Sequence, residues 1–200
     1  MKSLACAALE ELYNHSFKAE KTLMAASSTT KEEIYEATLT VIVQEGVRGA
    51  TWRRVAKEAG LSPGTLTYHF THTESLLLEA FTWMIDNISR RFFERMSATS
   101  DKASACEAVV DLICGDIWAS KRHLVLSFEL YSLAARKDDF RLLLQEWMAR
   151  SRKSLHLAFP FETACALDAL IEGFTIHNLL NDTPVDRKII SNTVNKIASS

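Results

Sequence analysis

The residues best suited to binding chemistry lie between Thr51 and Thr73. Ser62 and Pro63 read as a helix start, a capping hydroxyl followed by a proline whose missing N–H is harmless at the first helical position. Gly64 comes next, where a bare backbone lets a phosphate approach the N–H groups that a helix N-terminus leaves free. Thr65, Thr67, Tyr68 and His69 then supply two hydroxyls, a phenol and an imidazole. Such groups bond to phosphate oxygens and to base edges in a major groove. Three cations (Arg53, Arg54, Lys57) stand against one anion (Glu58) in this stretch, a local balance of +2 in a chain whose net charge is −2. The plainer alternatives are that Tyr68 and His69 pack on the next helix and that the cations form an ordinary solvated face. His69 and His72 have no third partner nearby and make no metal site.

These side chains need a scaffold, and the flanking pattern provides one. Thr51 opens a helix carrying Val55, Ala56 and Ala59, and Gly60 stops it. Ala56 is small enough for a second helix to cross closely, and Leu61 anchors the turn between them. That is the logic of a helix-turn-helix, whose second helix enters the groove. Upstream, Thr30 and Glu33 are spaced as a capping box. Ile34, Ala37, Val41 and Ile42 follow as one apolar stripe, ended by Gly46. Downstream, Thr71 and Glu74 are spaced as another capping box, opening a long helix from His72 to about Met96.

The run from Leu39 to Gly46, VAKEAGLSPGTL at Val55–Leu66, Tyr68-His69-Phe70 and Glu74-Ser75-Leu76-Leu77 together resemble, in order and spacing, the DNA-binding domain of the tetracycline-repressor (TetR) family. The likeness is close over Lys31 to about Leu78 and only architectural beyond it. Two positions depart: the family usually has an aromatic where this chain has Thr67 and a lysine where it has Thr73, both of which generally meet phosphates. The resemblance implies an all-α chain, with an N-terminal three-helix helix-turn-helix DNA-binding domain and a C-terminal helical ligand-binding and dimerisation domain. It implies a dimeric regulator, more often a repressor, on a pseudo-palindromic operator and under a small-molecule effector. Its DNA contacts would be Thr51, Arg53, Pro63, Gly64, Thr65, Thr67, Tyr68, His69 and Thr73.

Residues 1–30 read as an extension with a short helix and the small polar linker AASSTT, residues 31–78 as the DNA-binding domain, and residues 79–200 as the remainder. Met24 precedes the linker as a second candidate start. A polar loop from Ser97 to Lys102 leads into five expected helices: Ala103–Ser120, His123–Arg136, Asp139–Ala158, Phe161–Leu180 and Pro184–Ala198. Trp118, Phe128, Tyr131, Trp147, Phe174 and His177 are the candidate pocket residues, with Met148 beside them; the plainer alternative is that the aromatics are core, as aromatics at helical spacing more often are. They suit an apolar or aromatic ligand oriented by His177 or Asn178. The helix Phe161–Leu180 is apolar on most sides and needs burial on two. Leu167, Ile171, Phe174, Ile190, Val194 and Ile197 are therefore expected at a homodimer seam, where Gly173 allows close approach. In the TetR family these last two helices pair across a two-fold axis.

Bulk properties set limits. Two hundred residues, 48% apolar and 24% charged, with six Gly and three Pro, fit a helical globular chain. Net charge gives no general support for nucleic-acid binding, so the claim rests on the local surface. Cys6, Cys106, Cys114 and Cys165 show no zinc spacing and read as reduced thiols. The apolar stretch Leu4–Leu9 is too short for a secretory signal, and no run approaches a membrane span. A cytoplasmic protein follows, with no cofactor, no metal and no membrane partner. No nucleophile elbow, phosphate loop or metal motif points to an enzyme. The rival is a helical small-molecule carrier whose DNA-binding part is vestigial.

Overall fold

The computed structural model describes residues 30–115 and 120–199, and among them the fold is entirely helical. Helix α1 covers residues 30–45. A 3-10 turn, Val47–Gly49, leads to α2 (Trp52–Glu58), α3 (Pro63–His69) and the long α4 (Thr73–Ser97). Then come α5 (Lys102–Cys114), α6 (Lys121–Ala134), α7 (Asp138–Leu155), α8 (Phe161–Leu180) and α9 (Arg187–Ala198). Residues 1–29 of the N-terminal extension, with Cys6 and Met24, and also Trp118 lie outside the described residues.

Local chemistry sets the ends. Gly46 and Gly60 have φ of 72° and 67°, a region that residues with a Cβ avoid, and each turns the chain out of a helix. Ser62 caps α3 by accepting the Thr65 N–H at 3.2 Å. Asp101 and Ser104 form a reciprocal capping box on α5. The box expected from Thr71 and Glu74 is not made. His72 is the N-cap of α4 without a side-chain bond. Thr71 Oγ1 instead lies 2.6 Å from His72 Nδ1, and Glu74 is drawn to Lys137 at 2.7 Å. Helix α5 ends at Cys114 rather than near Ser120, because Gly115 is extended. Helix α9 starts at Arg187 rather than Pro184. Asp186 is its cap, accepting from the Lys188 N–H at 2.6 Å, while the Val185 N–H is tied to Asn178 Oδ1 at 2.9 Å.

Two cores hold the described residues together. The first joins the helix-turn-helix to the rest: Ile34, Ile42, Val55, Leu66 and Leu76 are continuous with Phe81, Leu130, Phe140 and Trp147. Phe81 and Phe140 meet edge to face, with centroids 6.3 Å apart. The helix-turn-helix is thus seated on α6 and α7 and not merely strung on α4. The second core packs the far end of α4 (Phe92, Met96) with α5, α8 and α9. Helix α4, 25 residues long and so about 37 Å, spans both.

That second core takes four of the six residues expected at the dimer seam. Leu167, Ile190 and Val194 are 0% exposed and Ile171 only 7%, all within this one chain. Phe174 and Ile197 are half-buried against the same core. The apolar stripe of α9 packs on α5 and α8 of its own chain.

Candidate functional site

Helices α2 and α3 cross as the small Ala56 allows. Val55, Ala56, Leu66 and Phe70 are 0–3% exposed beneath the crossing. The turn is tight: Gly60 N–H reaches Lys57 O at 3.2 Å, and Leu61 N–H reaches Ala56 O at 2.9 Å. Burying Leu66 fixes α3 in rotation, and truncating it to alanine should cost about 2–5 kcal/mol. The other residues of α3 are then exposed or half-exposed. Pro63, Gly64 and Thr67 are exposed, and Thr65 is half-exposed.

Tyr68 is 85% exposed, an aromatic ring in solvent that meets the His69 ring in a T-shaped contact at 5.1 Å between centroids. His69 sits between that ring and Phe70. Lys31 covers Phe70, with Nζ 5.3 Å from the ring centre, and pairs with Glu79 at 3.2 Å. Thr67 Oγ1 donates to Gly64 O at 3.0 Å, which leaves its lone pairs outward. Thr65 Oγ1 lies 3.0 Å from Ser62 Oγ. Thr51, at the start of α2, is exposed, and Thr73, at the start of α4, is half-exposed. Of the cations, Arg54 is paired with Glu45, whereas Arg53 and Lys57 are exposed and in no ion pair among the described residues. Thr51, Arg53 and most of α3 are thus open to solvent on two helices that pack against each other.

The second feature is a cavity of about 80 Å³ between α4, α5, α6, α7 and α8. On the same measure one water needs only about 10–15 Å³. Phe128, Tyr131, Trp147 and Met148 line it, but Phe174 and His177 do not. His177 is exposed on α8, and Asn178 is occupied by the α9 approach. The polar groups in the cavity are different ones: His123, Ser127, Ser151, Asp168, Glu172 and Thr175. His123 stacks edge-on to Trp147 at 5.9 Å, and burial pushes its imidazole down to about 4, so it is neutral. Tyr131 donates to Glu172, and burial with that bond pushes its phenol well above the usual range. Asp168 accepts from Ser151 at 2.5 Å and pairs with Arg152 at 3.6 Å, while burial holds its carboxyl above the usual carboxylate range.

The sequence does carry one signal for these groups. Asp168, Glu172 and Thr175 recur at helical spacing along an otherwise apolar helix, which puts three polar side chains on one line. Among the described residues no group of three His, Cys, Asp or Glu could hold a metal ion, and no helix is long and apolar enough to cross a membrane.

Comparison with known proteins agrees with this geometry. Residues 34–80, from α1 into α4, match the model of the bacterial regulatory proteins, tetR family. A crystal structure from Streptomyces coelicolor A3(2), provisionally assigned as a transcriptional regulator, is 42% identical. It covers 86% of this chain and 99% of its own, with a TM-score of 0.78. The helix-turn-helix-type transcriptional regulator BetI of Klebsiella pneumoniae (strain 342) is 23% identical over 175 residues, 80% of this chain and 87% of that protein. The multidrug binding protein EbrR, solved with malachite green, is 26% identical over 84% of this chain and 97% of its own, with a TM-score of 0.65. A matched helix-turn-helix, seated on a helical bundle with the same overall course as these regulators, makes this chain a member of the tetR family of bacterial transcriptional regulators.

Proposed function

We propose that this regulator binds a pseudo-palindromic operator as a homodimer, placing α3 of each subunit in successive major grooves, and acts as a repressor in the cytoplasm. The observation that carries the reading is Tyr68. A phenol 85% exposed on α3, near Gly64 and Thr67 in sequence, makes no hydrogen bond among the described residues and suits a phosphate contact. A two-fold pair reads half-sites about 34 Å apart or a multiple of that.

The cavity holds the effector, a small molecule with an apolar or aromatic body packed on Phe128, Tyr131 and Trp147. The complexes of EbrR with malachite green, proflavin and ethidium support small-molecule binding in a helical domain of this course. The homodimer uses the outer face of α8, where Ala166, Ala169, His177 and Leu180 are exposed and Gly173 has open space around it. Small residues there let two helices approach closely, and burying Leu180, 63% exposed in one chain, favours pairing. Selection of duplexes from a random library by the purified chain tests the reading. Enriched sequences should show two-fold symmetry; enrichment of no sequence, with retention lost uniformly as salt rises, would refute an operator-reading function.

A further inference from the structure

The cavity is aromatic yet acidic, and its charges do not balance. Asp168, Glu172 and Thr175 lie on one line of α8 and all line it. Asp168 already has a cation, Arg152, and the Ser151 hydroxyl. Glu172 has only the neutral Tyr131 phenol, and no Lys or Arg among the described residues pairs with it. His123, the other nitrogen base facing the space, is kept neutral by burial. One carboxylate is therefore left without a counter-charge beside Phe128, Tyr131, Trp147 and the His123 ring. Thr175 adds an independent sign of a missing partner. It is 8% exposed, lines the same cavity, and its Oγ1 has no hydrogen-bond partner among the described residues. Buried hydroxyls are seldom left so, because losing water without a new bond is unfavourable.

We propose that the effector is an organic monocation with an aromatic or alkylammonium core, whose single positive charge is read by Glu172, held in place by the Tyr131 hydroxyl, and by the surrounding ring faces. The proposal rests on the reading that this cavity is the effector site. Ring faces attract cations, and the attraction grows when water is excluded. One unbalanced carboxylate matches one positive charge; a dication or an anion would leave a charge unpaired. A polar substituent on the ligand would satisfy Thr175.

N-methylquinolinium and its uncharged isostere 1-methylnaphthalene separate charge from shape. Burial of apolar surface alone favours the neutral compound, since a cation must also shed water. Equilibrium dialysis of both against the full chain should instead show the cation binding at least ten-fold more tightly. Glu172→Gln, which can still accept from Tyr131, should bring that ratio to one or below, and Glu172→Asp should keep most of it. Thermal melting of each variant establishes that it is folded, and the wild-type ratio decides the matter without them. If the neutral isostere binds as well as the cation, the charge-reading proposal falls while the effector cavity stands. If neither binds, both fall.

Discussion

Arg122 and His123 are adjacent at the start of α6 and reach in opposite directions. Arg122 bonds to Glu36 at 2.8 Å and Thr40 at 3.1 Å, both on α1 of the DNA-binding part. His123 faces the cavity, edge-on to Trp147 and 3.4 Å from Ser127. One end of one helix thus touches both the cavity and α1, which shares a core with the helix-turn-helix. On the proposed reading, a ligand that prefers one position of α6 would shift α1, and with it the spacing of the two recognition helices of a dimer.

Arg122→Ala tests this connection. The pair is exposed, so folding stability should change by no more than about 1 kcal/mol. Cavity binding should be retained. The ratio of operator affinities without and with effector, typically 5–150-fold in coupled systems, should shrink several-fold. An unchanged ratio in a gel-shift titration would place the coupling elsewhere, for instance in the Glu74–Lys137 contact between α4 and α7.

The buried imidazole also gives a pH signature. In the folded chain His123 is pushed down to about 4, below the unfolded value of about 6.5. As pH falls from 6.5 toward 4 the unfolded chain takes up this proton first, so stability present above pH 6.5 is lost across that window. Between pH 7 and pH 5 the loss should be about 2 kcal/mol for this one group. Urea titrations at the two pH values should show His123→Gln losing less than the wild type by about that amount. Equal losses would mean that the imidazole is hydrated in the folded state.

For the dimer, burial decides which substitution is informative. A charge at Ile171 or Val194 enters the second core and should unfold the chain, because a buried unpaired charge is not tolerated. Ala169→Arg on the outer face of α8 should instead leave the fold intact and give a monomer in sedimentation at micromolar concentration. A dimer that survives Ala169→Arg would move the interface away from α8.

Sequence periodicity shows which residues of a helix share a face, but not what that face meets. Hence the turn at Gly60, the anchor at Leu61 and the outward residues of α3 are legible: they belong to a short unit whose parts are consecutive. The roles of Ile171, Ile190 and Val194 are not. Their stripes are evident, yet a stripe that packs on its own chain looks the same as one that packs on a partner. The cavity is intermediate. Phe128, Tyr131 and Trp147 stand out as large aromatics, whereas His123 and Glu172 acquire meaning only when α6 and α8 are brought face to face. Phe174 and His177 look similar in sequence but fall on other sides of α8.

The DNA surface permits the sharpest test, because its contacts differ in kind. Tyr68 is exposed and makes no protein hydrogen bond among the described residues, so Tyr68→Phe leaves folding untouched. It should weaken binding to all sequences by about 1 kcal/mol per subunit, the worth of one neutral hydrogen bond. Thr65→Ala should lower the preference for operator over random DNA, as loss of a base-edge contact does. Arg53→Ala should reduce the slope of log affinity against log salt by about one per subunit, whereas Arg54→Ala, already paired with Glu45, should change it less. Gly64→Asp is decisive. The space beside Gly64 is open, with Ser62 Oγ at 3.6 Å as its nearest neighbour, so a side chain fits. A carboxylate in the first turn also complements the helix dipole, so the fold should be kept or slightly stabilised. The same carboxylate stands where a phosphate must approach, and operator binding should vanish. If Gly64→Asp retains parental affinity across a salt titration, α3 is not the helix in the groove.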